Sequence, residues 1–280
     1  VIGLSLGGGV HGLGTGADAK SVADSIVSKF IWYGLTETSG LDCADNQGNG
    51  SVGTITGTTT TLHDNLPWWT AGGNAGTANN DVSFLGDAYI DSIFTFADLG
   101  DGLILQVADW YTDGLTGGNT AISAWGLASS TDDLAFQITR RSIPPFLRTT
   151  FTVGTNDGGA GLKQLDSGVV TADTRHSVMA AVDGKNNTLR LWVDGTEVTP
   201  ATDIAANLAA ASTALDADMA ANTGYHFFSH GGSAYLRVND RAKNLFAMRL
   251  ETHPGETVLA AIAQGFYDNE NALPSVLRGM

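Results

Sequence analysis

Residues 176–200, HSVMAAVDGKNNTLRLWVDGTEVTP, constrain the fold of this chain more than any other stretch. Two apolar-rich runs flank Asp183-Gly184-Lys185-Asn186-Asn187, and Asp194-Gly195 marks a second reversal. Clusters of Asp, Asn and Gly supply the positive-φ and side-chain-capped positions that tight turns between strands need. Leu189, Leu191 and Val193 alternate with Arg190, Trp192 and Asp194. A period of two places one set on each side of a strand, so one face is apolar and the other polar or aromatic. Such a pattern fits an antiparallel sheet with one buried face, as in a sandwich.

The same signature recurs along the chain. Strand-like runs are expected at 30–33, near 81–96, 103–110, 121–127, 134–139, 148–154, 176–183 and 188–194, and again near 225–229, 234–238 and 245–250. With 36 glycines and only six prolines, most of the turns between them must come from Gly and from Asp or Asn. Three segments break the pattern. Val22, Ala23, Ile26, Val27 and Phe30 have helical spacing, and the Ala-rich stretch 203–221 is a candidate helix or crossover. Residues 254–268 read as a helix, with Pro254 at its start, Glu256 near its positive end, and Val258, Leu259, Ile262 and Phe266 on one side. The expected division is a Gly-rich arm and short helix at 1–29, a sandwich at 30–250, and a helix and tail at 251–280. An all-β chain of 280 residues fits one such sandwich.

Several blocks resemble the concanavalin A-like jelly rolls of the laminin G-like kind. Asp45-Asn46-Gln47-Gly48-Asn49-Gly50 is similar to that family's opening block, and Phe84-Leu85-Gly86-Asp87-Ala88-Tyr89-Ile90 to a later strand. His176 through Gly195 resembles its paired strands, with Trp192 at a position where Tyr is usual, and 245–250 resembles its closing strand. The resemblance implies an all-β, antiparallel jelly-roll β-sandwich over about residues 30–250, with the Gly-rich N-terminal arm and the short C-terminal helix outside it. Such sandwiches host lectins, adhesion modules, glycosidases and virion proteins, so the fold alone selects no function.

Charge narrows the partners. The chain carries 29 acidic and 14 basic side chains, a formal net charge of −15. Nucleic-acid binding needs clustered Lys and Arg, and Arg140-Arg141 is too small a cluster; anionic membranes are disfavoured for the same reason. No apolar run is long enough to span a bilayer as a helix, and no basic segment followed by an apolar core marks a signal peptide. A single cysteine, Cys43, excludes an intrachain disulfide framework.

Catalytic patterns fare poorly. The five glutamates, at 37, 197, 251, 256 and 270, form no alternating strand triplet of the kind that glycosidases on this scaffold use as acid and nucleophile. Asp91 with Asp98, or Asp132 with Asp133, are weaker substitutes, and adjacent strand residues face opposite ways. Gly3-Leu4-Ser5-Leu6-Gly7 matches a nucleophile elbow and Gly7, Gly9 and Gly12 a dinucleotide loop, both without the strand–turn–helix setting those motifs need. His226 and His230 on one strand would stand about 13 Å apart, too far to share a zinc ion. Calcium suits the Asp- and Asn-rich loops, but its ligands cannot be assigned to residues, and no other cofactor is expected.

What remains is contact. Exposed aromatic rings stack on sugar C–H faces, and Trp192, Trp68 and Trp69 are the candidate ligand-binding residues, against the alternative that they pack beneath a loop or a second layer. A sandwich with a Gly-rich arm, an acidic surface and no catalytic carboxylate set also resembles bacteriophage virion components. The leading expectation is therefore a non-enzymatic virion structural protein, either a capsid decoration or a tail or fibre adhesin. It would be held by neighbouring virion subunits or in a homo-oligomer through residues 1–16 and the C-terminal tail. The alternative is a secreted or surface glycan-binding module, located outside the cell, and the third a divergent glycosidase.

Overall fold

The computed structural model describes residues 29–33, 42–44, 52–56, 69–70, 81–85, 87–111, 120–126, 134–141, 145–172, 174–211, 224–227, 241–269 and 277. They form two antiparallel sheets packed face to face. The first contains β1 (Lys29–Tyr33), β16 (Arg241–Leu250), β6 (Leu103–Tyr111), β11 (Arg175–Asp183), β12 (Thr188–Val193) and β13 (Thr196–Glu197), in that spatial order. Two short strands extend it: β4 (Trp69–Thr70) pairs with β16, and β14 (Thr202–Asp203) with β12. The second sheet runs β10 (Gly161–Val169), β9 (Phe146–Val153), β8 (Leu134–Arg141), β7 (Thr120–Gly126), β15 (Gly224–Phe227), β5 (Asp81–Leu85), β3 (Val52–Thr56) and β2 (Asp42–Ala44). The chain moves from β6 across to the β7–β10 meander, back to β11 and β12, across to β15, and back to β16. This is the all-β jelly-roll sandwich expected from the strand pattern.

The hairpin that opened the sequence reading has its expected register. Val178 faces Val193 and Val182 faces Leu189 across β11 and β12. Asp194 and Gly195 both have positive φ, 52° and 76°, which is the backbone of a two-residue hairpin turn. Leu189 and Leu191 point into the core between the sheets, with Ile104, Ala108 and Trp110 of β6 and Phe136, Ile138, Phe151 and Val153 of the second sheet. One polar tie crosses this core: Gln106 donates to the Phe136 carbonyl at 3.0 Å and accepts a hydrogen bond from the Ser123 hydroxyl.

Two local readings differ from the sequence pattern. The strand beginning at Asp81 ends at Leu85, and residues 88–93 form helix α1 (Ala88–Ile93). The Asp87 carboxylate accepts hydrogen bonds from the backbone N–H groups of Tyr89 and Ile90, an N-cap that overrides the apolar run. Ile90 and Ile93, three apart, bury on the same side. Strand β10, unforeseen, is an edge strand whose LKQLDSGV sequence lacks alternation because only part of it is covered. The expected helix at 17–30 lies outside the described residues except for Lys29 and Phe30, which are in β1. The expected strand near 234–238 also lies outside them. Within 203–221, residues 205–211 are helical.

Helix α2 (Glu256–Asp268) makes the molecule three-layered. Val258, Leu259, Ile262, Ala263 and Phe266 bury against Leu105 and Val107 of β6, Met179 of β11, Trp192 of β12, and Phe246 and Met248 of β16. Burying each large apolar side chain stabilises by about 1.5–3 kcal/mol, which is ample to seat a helix of this length. Two sheet arginines hold its ends. Arg175 donates to the terminal carbonyls of Phe266 and Tyr267 at 2.9 and 2.7 Å, and Arg190 pairs with Glu256 in the first turn at 2.6 Å. Arg175 complements the negative C-terminal end of the helix dipole, and Glu256 its positive N-terminal end.

Candidate binding face

The helix side of the first sheet holds the densest charge cluster. Arg190, 6% exposed, contacts Asp183 at 3.3 Å, Glu197 at 2.8 Å and Glu256 at 2.6 Å, and its guanidinium lies 4.8 Å from the Trp192 ring centre. Burial works against its charge, but Glu256 and Glu197 outweigh that and hold its pKa above the ordinary arginine value. Asp183, His253 and Glu256 also converge, with ligand atoms within 4.8 Å of one another. This trio does not fit a metal ion. The Gly255 N–H donates to His253 Nδ1 at 3.0 Å, so the neutral ring carries its proton on Nε2, the atom that faces Asp183 at 3.2 Å. That approach is close, but Nε2 forms no hydrogen bond there. Asp183 already accepts from Asn186 and Arg190, and the arginine supplies the positive charge a cation would bring. The calcium expectation gains no ligand set here.

Trp192 requires a correction. It does turn away from the Leu189/Leu191 layer, as its alternation demands, but α2 covers it and leaves it 2% exposed. With Arg190 lying over its ring and helix side chains around it, the indole presents no free ring face to a ligand. Trp68 lies outside the described residues. Trp69 belongs to β4, where it pairs with Ala242, and its side chain is outside them as well. Of the substitute carboxylates, Asp91 stands on α1 and Asp98 in the turn after it, at φ 57°. Asp91 has a raised pKa, chiefly through burial, with Asp87 adding and Trp125 opposing. Asp132, Asp133, His230 and the glycine motifs of residues 3–12 lie outside the described residues, while His226 is in β15.

A different surface carries unexplained chemistry. In β8 and β9, Phe136, Ile138, Phe151 and Val153 point into the core, so Gln137, Thr139, Thr150 and Thr152 project from the opposite side of the second sheet. The register sets Gln137 opposite Thr150, Thr139 opposite Arg148, and Ala135 opposite Thr152. All four polar residues are buried, at 3%, 7%, 6% and 0% exposure in chain order. Yet Gln137 Nε2 and the Oγ1 atoms of Thr139, Thr150 and Thr152 have no hydrogen-bond partner among the described residues. A buried polar atom left unpaired costs about 1–3 kcal/mol, and four together on one face are unusual enough to demand a reason.

The surroundings extend this polar character. Gln164 of β10 lies beside Thr150, and Ala124 of β7 beside Gln137. At the rim, Arg148 forms a two-pronged pair with Asp166, at 2.5 and 2.7 Å, and lies 5.6 Å from the Phe146 ring centre. Leu162, half exposed, adds an apolar edge next to Thr152. Opposed residues stand about 5 Å apart and successive same-face residues about 7 Å apart, so the quartet spreads over three rows, about 14 Å along the strands. Among the described outward-facing residues of β8, β9 and β10, Asp166 is the sole carboxylate and it is tied to Arg148, which leaves no acid–base pair there. Amide and hydroxyl groups that both donate and accept are suited to holding a hydroxyl-rich ligand. No sequence motif marked this face: LAFQITRR and FLRTTFTV read as ordinary half-buried strands.

No protein-family model matches the chain, and no curated protein matches its sequence. Solved structures do resemble it in fold. The binding domain of botulinum neurotoxin DC, studied in complex with rat synaptotagmin II, aligns with a TM-score of 0.56 at 9% identity, over 88% of this chain and 52% of that one. A structure concerned with botulinum neurotoxin type C, whose cell entry depends on interaction with two ganglioside molecules, aligns at 0.54 and 10% identity, over 87% and 52%. The binding domain of serotype D/C aligns at 0.53 and 11%, over 87% and 53%. The chain thus spans about half the length of these structures. At such identities the likeness establishes the β-sandwich fold and nothing finer.

Proposed function

We propose that this chain is a glycan-binding module whose contact surface is the outward rim of the second sheet, where the exposed Leu162 and Gln164 of β10 border the buried Gln137, Thr139, Thr150 and Thr152. The observation that carries this reading is an apolar edge and an amide, both open to solvent, on the polar side of the sheet. The Gln164 amide can donate to and accept from sugar hydroxyls, and Leu162 can lie against their C–H side. Support of a weaker kind comes from the fold: among the structures it resembles are receptor-binding domains, one of them from a toxin that depends on gangliosides. The ligands assigned are surface glycans outside the cell, and the role assigned is binding without bond cleavage.

The virion reading rested on residues 1–16 and the C-terminal tail. Residues 1–28 lie outside the described ones, and the neurotoxin binding domains named above lend that reading no support. Binding is tested by presenting the protein to a glycan array and measuring any hit by titration calorimetry. The parent protein is expected to bind a defined set of glycans, and a Leu162→Asp/Gln164→Ala variant that folds normally is expected to lose at least tenfold in affinity. An array on which the parent binds nothing defeats the proposal.

A further inference from the structure

Resting on that assignment of the rim, we infer that its ligand is a linear glycan of several sugar units laid along β10, rather than a single terminal sugar. Three large apolar side chains are exposed among the described residues, Leu162 at 50%, Val169 at 67% and Tyr267 at 41%, and the first two stand at opposite ends of β10. Alternation turns Leu162, Gln164 and Asp166 to one side of the strand. A bulge after Asp166 then shifts the register and sets Val169 opposite Phe146, whose ring lies on that same side beside the Arg148 guanidinium.

The outward side of β10 is therefore an open stripe, in the order apolar, amide, ion pair, apolar. Leu162 and Gln164 are exposed, and the Asp166 side chain that pairs with Arg148 is 35% exposed. From Leu162 to Asp166 the strand rises about 13 Å, and Val169 lies beyond, a span more than twice the width of one pyranose ring. A linear glycan presents C–H faces and hydroxyl edges in succession along its length. Leu162 and Val169 suit the first. The Gln164 amide and the Asp166 lone pairs that Arg148 leaves unused suit the second.

A strand-forming peptide is the competing occupant, and the edge of β10 is poorly open to it. Thr202 Oγ1 donates to the Gln164 carbonyl at 2.9 Å. Asn207 donates through Nδ2 to the Gly161 carbonyl at 2.7 Å and accepts the Ala160 N–H at 3.3 Å. An added strand needs an unbroken row of such backbone groups, and these are already taken. Recognition falls to the side chains of the stripe.

The test prints glycans of one to six sugar units from several backbones, neutral and acidic, and titrates soluble members of each series that binds. Affinity is expected to rise at least tenfold from the monosaccharide to the tetrasaccharide and then to level off. Val169→Ser, which removes the far apolar end, is expected to weaken the tetrasaccharide at least fivefold and to leave the disaccharide within twofold. Val169→Thr, isosteric with valine, serves the same comparison if the serine variant melts early. A monosaccharide bound as tightly as the hexasaccharide overturns the inference while leaving the glycan-binding assignment standing. So does a Val169 effect that is equal at all lengths or absent at all of them. Binding of no series by the parent protein removes both. Self-association of the parent in sedimentation velocity that Val169→Ser abolishes would give the stripe to a second copy of the chain, and overturns the inference too.

Discussion

His176 and Asp194 are joined at 2.8 Å, and the second ring nitrogen of His176 lies 2.8 Å from the Thr171 carbonyl. A carbonyl and a carboxylate only accept, so both nitrogens are supplied with partners when the ring is protonated. Burial opposes that charge and is the largest single influence, but the Asp194 and Thr171 contacts outweigh it and raise the pKa above 6.5. The pair bolts the start of β11 to the turn after β12, since Asp194 also accepts the Ser177 N–H.

A pH dependence follows from the sign of that shift. A histidine whose folded pKa is raised contributes stability that is fully present below its unfolded pKa of about 6.5 and is lost as pH rises through the folded value. Urea unfolding should therefore give a falling stability on the alkaline side of pH 6.5. Asp194→Asn should flatten that slope; an unchanged slope in the variant would show that the pair is not its source.

The buried polar quartet should hold a reserve of stability. Thr150→Val and Thr152→Val replace unpaired hydroxyls with methyl groups of similar shape, so each is expected to stabilise the protein by about 1 kcal/mol. Denaturant midpoints measure the effect, and a loss of stability in both variants would mean the hydroxyls are paired after all.

Arg190→Ala leaves Asp183 buried without its arginine and takes the partner from Glu256. Removing one member of a buried ion pair costs about 3–5 kcal/mol, and a thermal melt should fall accordingly. Arg190→Ala combined with Asp183→Asn is expected to recover part of that loss. Additive losses would argue against coupling between the two residues.

Trp192 separates the two ideas about where a ligand sits. Trp192→Ala should cost about 3–5 kcal/mol because it opens a cavity in the cluster that seats α2. Trp192→Phe, which keeps the apolar contact, should fold and bind glycan with unchanged affinity. A large drop in affinity for that milder variant would return the ligand to the helix side of the molecule.

Sequence periodicity captured the sandwich and much of its order, since turns and alternation are local properties. Asp194-Gly195 and the Leu189/Leu191 alternation required nothing beyond neighbouring residues. Trp192 was correctly turned away from the inner layer, but its cover comes from α2, more than sixty residues further along the chain, and no local pattern reports such a meeting. Phe84–Ile90 was misread because apolar content outweighed the Asp87 cap. The polar face was hidden for a different reason. Gln137 and Thr150 have the composition of any solvent-facing strand positions, and only burial combined with an absence of partners distinguishes them.

Helix α2 also gives the molecule a handle. Thr257, Ala260 and Gln264 are exposed on its outer side, and the two sheets separate them from Gln137 and Thr150. A label or surface linkage introduced by Ala260→Cys in a Cys43→Ser background would sit behind the molecule as a ligand approaches it. Chains immobilised that way would all display the second sheet outward, which random attachment through lysines cannot guarantee.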